Sequence, residues 1–266
     1  MLLAIDVGNT HTVLGLYDGE TLLADWRLDT AHDRTGDEWG ALLMALCSSR
    51  GFTLRDIHGA IASSVVPPVT PALRDMAARH LGYPLLVIGP EMDTGARALV
   101  DAPREVGSDR IATSYAAARR YGGPAVVVDF GTSTNFDVVN PDGNYIGGVI
   151  APGMGLAADA LFRAAARLYR VELVAPAHVI GTNTIECIQA GVVLGYASLV
   201  EGLVARIKTE LAARGWPNVK IIATGGLATL IAHETQCFDY VDRALTLDGL
   251  RMIYELNAAP RPAAAP

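Results

Sequence analysis

Residues 2–19 read LLAIDVGNTHTVLGLYDG, and residues 125–143 read AVVVDFGTSTNFDVVNPDG. Both stretches have an apolar run, then Asp-x-Gly with small polar residues, then a second apolar run and an Asp-Gly pair. This pattern predicts a β-hairpin followed by a tight turn at Asp-Gly. The interval from Asp6 to Asp129 is close to half of the 266-residue chain. The repeat therefore predicts two duplicated domains and not a short-period solenoid. The alternative is a chance similarity, because short β-hairpins resemble one another.

The composition indicates a globular chain with a sizeable core, since 51% of the residues are hydrophobic and 18% are charged. The formal net charge of −7 leaves no basic block for a duplex, so we expect no nucleic-acid partner. Cys47, Cys187 and Cys237 lie far apart without CxxC spacing, which is typical of a reducing compartment. The N-terminus lacks a basic leader region, and the charge-free stretches are shorter than a membrane span. We therefore predict a cytoplasmic protein without a membrane partner.

Helix and strand patterns alternate around the two hairpins, which predicts an α/β protein. Helices are expected over Thr35–Ser48, Val69–His80 (with Thr70 as N-cap), Ser108–Arg120, Gly155–Leu168, Thr184–Ala213 and Leu247–Asn257, and strands over Ile57–Val66, Pro84–Ile88 and Val219–Ala223. Gly122-Gly123 forms a natural linker into the second repeat. The predicted organisation is an N-terminal domain at 1–121, a C-terminal domain at 122–257 and a disordered tail at 258–266, with a ligand cleft between the domains.

The Asp-x-Gly turn has the residue types that bind a phosphate chain. Backbone N–H groups of Gly8, Asn9 and Thr10, together with the Thr10 and Thr12 hydroxyls, suit a triphosphate, and Asp6 suits the metal ion that neutralises it. Thr224-Gly225-Gly226 adds a third glycine-rich turn. The sequence has neither GxxxxGK[ST] nor, after the first strand, GxGxxG, which argues against a P-loop or dinucleotide site. The alternative is an ordinary hairpin whose polar residues cap the turn.

Eight short stretches, in order and spanning most of residues 1–256, resemble the type III pantothenate kinase family of the actin–hexokinase–sugar-kinase–acetate-kinase superfamily. They are Asp6-Val-Gly-Asn-Thr10, Ser64-Val-Val-Pro67, Pro103-Arg-Glu-Val-Gly-Ser-Asp-Arg110, Asp129-Phe-Gly-Thr-Ser-Thr134, Gly147-Gly-Val-Ile-Ala-Pro-Gly153, Ile180-Gly-Thr-Asn-Thr184, Ala223-Thr-Gly-Gly226 and Leu245-Thr-Leu-Asp-Gly-Leu250. The resemblance implies duplicated actin-like (ribonuclease H-like) ATPase domains. It also implies transfer of the γ-phosphoryl group of ATP to the hydroxyl of pantothenate, the first step of coenzyme A synthesis.

The same resemblance implies roles for particular residues. The first phosphate loop for ATP comprises Asp6, Val7, Gly8, Asn9, Thr10, His11, Thr12 and Val13, and Thr132 belongs to the second. Asp6 is expected to face Mg²⁺, and Asp129 to hold a monovalent cation, K⁺ or NH₄⁺. Pantothenate is expected to contact Gly107, Ser108, Asp109 and Arg110, with Asp109 as the base. Thr184 is expected to reach pantothenate from the neighbouring subunit of a homodimer with composite active sites.

Some positions depart from the family pattern, and alternatives stay open. Val100, Ala102, Asn135 and Thr182 replace residue types common in the family, which bears on substrate affinity more than on the chemistry. Asp109 also has a simpler interpretation, as a residue that caps a helix or favours its dipole. Two other functions are a nucleotide-binding regulatory relative without catalysis and a kinase acting on a sugar or a carboxylate. The intact Asp109 favours an enzyme over the regulator.

Overall fold

The computed structural model describes residues 1–165 and 168–258. The strands are β1 Leu2–Val7, β2 His11–Asp18, β3 Thr21–Asp29, β4 Gly59–Ser64, β5 Leu86–Val87, β6 Ala125–Phe130, β7 Ser133–Val139, β8 Tyr145–Pro152, β9 Lys220–Gly225 and β10 Tyr240–Val241. The helices are α1 Gly36–Ser49, α2 Val69–Met76, α3 Ser108–Tyr121, α4 Met154–Ala164, α5 Thr184–Gln189, α6 Gly195–Ala213, α7 Ala228–Ala232 and α8 Leu245–Asn257. Two compact units result. The first contains 1–97, 101–116 and the described residues from Thr246 onward, and the second contains 98–100 and 117–245.

The first unit is built on a five-stranded sheet in the order β3-β2-β1-β4-β5. β1, β2 and β3 form the antiparallel hairpins, whereas β4 and β5 run parallel to β1. Because strand residues alternate in direction, Leu3, Ile5 and Val7 pack on one face into a core with Trp39 of α1 and Met76 of α2.

The opposite face of this sheet is covered by α8. The Tyr17 hydroxyl on β2 donates a buried hydrogen bond of 2.8 Å to Asp248 Oδ1 on α8. A Cβ on Gly15 would lie 2.9 Å from a Leu247 methyl group, so the strand and the helix are in close contact. The return of α8 to the first unit differs from the expected domain range of 122–257. Contacts between residues this far apart in sequence are not visible in a local pattern.

The second unit repeats the architecture, with strand order β8-β7-β6-β9-β10. β6, β7 and β8 are antiparallel neighbours, and β9 runs parallel to β6. Val126, Val128 and Phe130 point into a core formed with α4, α5, α6 and α7. The equal strand order in both units confirms the α/β class and the duplicated domains predicted from the hairpin repeat, and it agrees with the actin-like fold that the family resemblance implies.

The longest helical segment, Thr184–Ala213, was predicted as one helix and consists of α5 and α6 joined by a π-helical turn at Ala190–Leu194. Asn183 begins it, since its side chain accepts the backbone N–H of Glu186 at 3.0 Å. By length and composition alone this segment is apolar enough to cross a membrane. Val193 and Val200 on one side of it are fully buried in the core of the second unit. The segment is therefore a core helix with a second, exposed face.

Several local predictions differ from the structure. Thr70 is not the N-cap of α2, because Pro68 already has helical backbone angles and the helix begins at Val69. The sequence patterns did not predict β3, β8, α7 or β10. The Asp-Gly turns are present, with Gly19 and Gly143 at positive φ. The expected disordered tail at 258–266 lies, except for residue 258, outside the described residues.

Candidate active site

The first predicted phosphate loop connects β1 to β2 in the first unit. Asp6 lies half-buried near the end of β1, and Asn9 and Thr10 are exposed at the tip of the hairpin. The Gly8 N–H donates to the His11 carbonyl at 3.0 Å, and a Cβ on Gly8 would lie 3.1 Å from the same oxygen. The chain therefore turns within a few residues. A short exposed turn of this kind can present backbone N–H groups to an anion.

Two threonines, Thr12 and Thr30, support this loop from the protein interior. The Thr12 side chain is fully buried, and its hydroxyl lies 3.0 Å from that of Thr30, just after β3. Thr30 in turn donates to the Gly8 carbonyl at 2.7 Å. Thr12 was predicted to offer its hydroxyl to phosphate, but the structure places that hydroxyl against Thr30. Sequence reasoning missed Thr30, which has no motif of its own.

His11 lies beside the loop and is held by residues of β3. Its Nδ1 is 3.0 Å from an Arg27 guanidinium nitrogen, and its Nε2 is 3.8 Å from Asp29. Burial lowers the pKa of His11 first, the positive charge of Arg27 lowers it further, and Asp29 opposes both. The imidazole is therefore mainly neutral at neutral pH. The cation at this position is Arg27 and not His11.

The predicted substrate residues, Gly107 to Arg110, form the start of α3, also in the first unit. The Gly107 carbonyl accepts the N–H groups of Arg110 at 3.1 Å and Ile111 at 3.3 Å. A side chain on Gly107 would run into the Asp109 carboxylate. Glycine is therefore required for the carboxylate to occupy this position.

Asp109 has the electrostatics of a proton acceptor. Its Oδ1 accepts the N–H of Arg110 at 2.9 Å. Burial raises the pKa of the Asp109 carboxyl, and the N–H and guanidinium of Arg110 offset part of that rise. A partly buried carboxylate with a raised pKa at the start of a helix suits general base catalysis.

The second predicted phosphate turn follows β6 in the second unit. Asp129 is half-buried near the end of β6, opposite Asn135 on β7 and Thr224 on β9. A Cβ on Gly225, which has φ of +90°, would overlap Asp129 Oδ1. Thr132 is exposed in the turn, and its carbonyl accepts the Gly153 N–H at 3.0 Å. The glycine-rich turn at 224–226 therefore borders the Asp129 carboxylate.

Thr184 lies elsewhere in the second unit, exposed at the first residue of α5. A cavity of about 790 Å³ adjoins it, lined among others by Leu161, Cys187 and Tyr196. Thr182 is exposed, and its N–H and hydroxyl both donate to Glu186, at 2.9 and 3.1 Å. These hydrogen bonds lower the pKa of Glu186.

Comparison with known proteins assigns the chain to a family. Residues 2–206 match the profile described as type III pantothenate kinase. A type III pantothenate kinase from Roseiflexus castenholzii is 52% identical over 257 residues, which cover 97% of this chain and 99% of that protein. The chain belongs to the type III pantothenate kinase family. The resemblance inferred from the eight motifs is thereby confirmed, and the matched range 2–206 spans the positions of Asp6, Asp109, Asp129 and Thr184.

Solved structures that resemble this pantothenate kinase family member share its fold at low identity. A conserved Baf family protein from Campylobacter jejuni has a TM-score of 0.59 at 19% identity, with 96% of this chain and 98% of that chain covered. An inorganic polyphosphate/ATP-glucomannokinase from Arthrobacter sp. strain KM has a TM-score of 0.50 at 16% identity, with 97% and 99% covered. The likeness extends along nearly the whole length of the chain.

Proposed function

We propose that this chain transfers the γ-phosphoryl group of ATP to the primary hydroxyl of pantothenate, the first step of coenzyme A synthesis. Membership of the family supports this activity, and the environment of Asp109 is the observation that carries it. Phosphoryl transfer needs alignment and charge neutralisation more than covalent help from the protein. Asp109 accepts the proton of the attacking hydroxyl group. Arg110, the next residue in the chain, faces the anionic substrate.

The turn at Gly8 between β1 and β2, called here the Gly8 turn, binds the phosphates of ATP through its backbone N–H groups. The exposed Thr10 and Thr132 add hydroxyl groups. Thr12 and Thr30 stabilise this turn from the protein interior, because together they hold the Gly8 carbonyl in place. Asp6 is the residue that would hold Mg²⁺, because a half-buried carboxylate at the end of a strand is a suitable oxygen ligand. Mg²⁺ would neutralise phosphate charge there.

A monovalent cation, K⁺ or NH₄⁺, fits the residues around Asp129. Asn135 lies directly opposite on the neighbouring strand, so both side chains are on the same face of the sheet. The Asn135 Oδ1 atom is buried and lacks a hydrogen-bond partner. A carboxylate next to a buried amide oxygen is a donor set for a hard cation. Asp129 and Asn135 would therefore hold the ion, which would supply positive charge beside the phosphates.

The cation hypothesis predicts a difference between K⁺ and Na⁺. Replacing K⁺ with Na⁺ is expected to lower kcat about tenfold, or ~1.4 kcal/mol of transition-state stabilisation. Without substrates, K⁺ is expected to raise the melting temperature above that in Na⁺, because the ion binds only the folded site. Asp129→Asn should abolish this difference, and Asn135→Leu should reduce it.

The matched control is Asp142→Asn, in the exposed turn at the other end of the same hairpin. That variant should keep the full response to K⁺. Equal rates and equal melting temperatures of the wild-type protein in the two salts would leave Asp129 as an ordinary carboxylate at a strand end.

The raised pKa of Asp109 predicts a pH dependence. The base must be deprotonated, so kcat/KM for pantothenate falls as the pH drops through its pKa. Since burial raises that pKa, the fall occurs at a higher pH than for an ordinary aspartate. Arg110→Gln removes a charge that lowers the pKa, and should move the fall to still higher pH. Arg110→Lys keeps the charge and should leave the fall near its wild-type position.

The substrates titrate identically in assays of the wild-type protein, Arg110→Gln and Arg110→Lys. A difference between the pH profiles of these three proteins therefore arises from the enzyme. Identical profiles for Arg110→Gln and Arg110→Lys would contradict control of the rate by Asp109.

We also propose that the active unit is a homodimer with composite sites. Among the described residues, exposed apolar side chains concentrate between residues 150 and 185, and Val179 and Ile180 are 75% and 84% exposed. The outer face of the α5–α6 segment carries Gly191, Gly195 and Gly202, and a Cβ on any of them would meet nothing within 4 Å. Apolar surface of this kind marks protein interfaces, and glycines allow close approach of a second backbone. Thr184, at the N-terminal end of this face, would then reach the active site of the partner subunit.

One assay tests the proposed activity directly. ADP release from ATP is measured with pantothenate, with a panel of sugars and small carboxylates, and without an acceptor. Release that depends on pantothenate supports the proposal. ATP binding without release would indicate the regulatory relative, and release with another acceptor would indicate another kinase of the superfamily. A cytoplasmic location without nucleic-acid or membrane partners remains our prediction.

A further inference from the structure

Ser63, which no sequence pattern singled out, lies between the two site segments of the first unit. It is on β4, directly beside Asp6 of β1, so the two side chains are on the same face of the sheet. The Ser63 side chain is fully buried, and its hydroxyl oxygen lies 3.0 Å from the hydroxyl oxygen of Ser108. Ser108 is the first residue of α3 and directly precedes Asp109.

The rest of α3 is fixed by different contacts. The Thr113 hydroxyl donates to the Asp109 carbonyl at 2.8 Å and lies 2.9 Å from the Thr246 hydroxyl at the start of α8. A Cβ on Gly249 of α8 would overlap the backbone of Ala112. These contacts set the position of the helix body against α8. In the first turn of α3, the hydrogen bond between the Ser63 and Ser108 hydroxyls connects the helix to β4, the strand beside Asp6.

We propose that Ser63 is a positioning residue for the reaction. Its hydroxyl holds Ser108, and thereby fixes the start of α3 and the Asp109 carboxylate relative to the end of β1. A hydrogen bond between two hydroxyls also directs their hydrogens, so Ser63 sets which way the Ser108 hydroxyl points. Ser63 itself contacts no substrate in this assignment and acts through Ser108. The inference rests on the proposed function, because Ser108 and Asp109 are its substrate residues.

The first test separates kcat and KM for the two substrates. Ser63→Ala should lower kcat/KM for pantothenate roughly 10- to 100-fold, since a small displacement of a reacting group has a large effect on rate. The KM for ATP should stay within about twofold of the wild-type value, because the Gly8 turn is held separately by Thr30. Ser63→Cys keeps the size of the side chain but donates weakly, and should show the same defect with less loss of stability.

The matched control is Ser64→Ala on the same strand. The Ser64 hydroxyl bonds within its own turn, where it donates to the Val66 carbonyl at 3.2 Å and accepts the Val66 N–H at 3.3 Å. This variant should keep kcat/KM for pantothenate within about twofold of the wild-type value. A similar defect in both variants would assign the effect to general damage of the strand, and would overturn the proposal.

A double-mutant cycle with Ser108→Ala tests whether Ser63 acts through Ser108. If it does, the double variant is no worse than Ser108→Ala alone. If the losses of kcat/KM in the two single variants multiplied in the double variant, the assignment would be overturned. An unchanged kcat/KM in folded Ser63→Ala and Ser63→Cys proteins would also overturn it. Failure of the proposed function is distinguishable, since the wild-type protein would then release no ADP with pantothenate. In that case the melting temperatures of the wild-type protein, Ser63→Ala, Ser108→Ala and the double variant still report whether the two serines are coupled.

Discussion

Replacing Asp109 with asparagine is expected to leave a folded protein whose kcat is lower by roughly 10²–10⁴-fold, the usual contribution of a positioned base. Asparagine keeps the size of the side chain and can still accept the Arg110 N–H, but it cannot take up a proton at pH 7. The KM for pantothenate should change little by comparison, because the proposed binding contacts of Ser108 and Arg110 would remain. Steady-state kinetics with an ADP readout, together with a melting curve, check this result.

Asp37→Asn is the matched control for the simpler interpretation of Asp109 as a helix-terminus charge. Asp37 also lies in the first turn of a helix, but it is on the surface of α1 and pairs with Arg79 and His80. If the helix dipole were the whole role of Asp109, both variants would lose a little stability and keep their turnover. A near-normal kcat in folded Asp109→Asn protein would remove Asp109 from the mechanism.

The hairpins of both units were predictable because their signals are local. Two apolar runs, Asp-x-Gly and Asp-Gly all lie within about twenty residues in each copy. β3 was missed because it has no continuous apolar run, since charged residues such as Asp25 and Arg27 interrupt it. β8 was missed because Gly147 and Gly148 interrupt its apolar pattern, and glycine weakens a strand signal.

The charged and glycine-rich residues of the candidate site could be proposed from the sequence, and the hydroxyl groups that lie beside them could not. Asp6, Asp109 and Asp129 stand in short motifs with a recognisable chemistry. Thr30 and Ser63 form hydrogen bonds with Thr12 and Ser108, which lie 18 and 45 positions away in the sequence. A buried hydroxyl acquires its partner only when the sheet register is set. The internal partner of Thr12 was missed for the same reason, since its position in a motif suggested a phosphate ligand and the fold places its hydroxyl against Thr30.

Mixing Asp109→Asn chains with Thr184→Arg chains is expected to restore activity that neither protein has alone. In the proposed homodimer each site takes Asp109 from one chain and Thr184 from the other. A mixed dimer then has one site with both residues intact and one site with neither. Equal amounts with free subunit exchange should give about a quarter of the wild-type kcat per chain, because half of the dimers are mixed and each has one working site.

The recovered fraction distinguishes a shared site from a site made within one chain. If each site drew both residues from its own chain, every chain in the mixture would carry a lesion and no activity would return. Asp109→Asn mixed with Asp109→Asn,Thr184→Arg is the negative control, since no combination of these chains contains Asp109. Subunit exchange is verified by mass-tagged chains, so that a lack of recovery counts against the shared site. A wild-type protein that stays fully active as a monomer at assay concentration would refute the dimer requirement, and the exposed face from Thr184 to Gly202 would then need another partner.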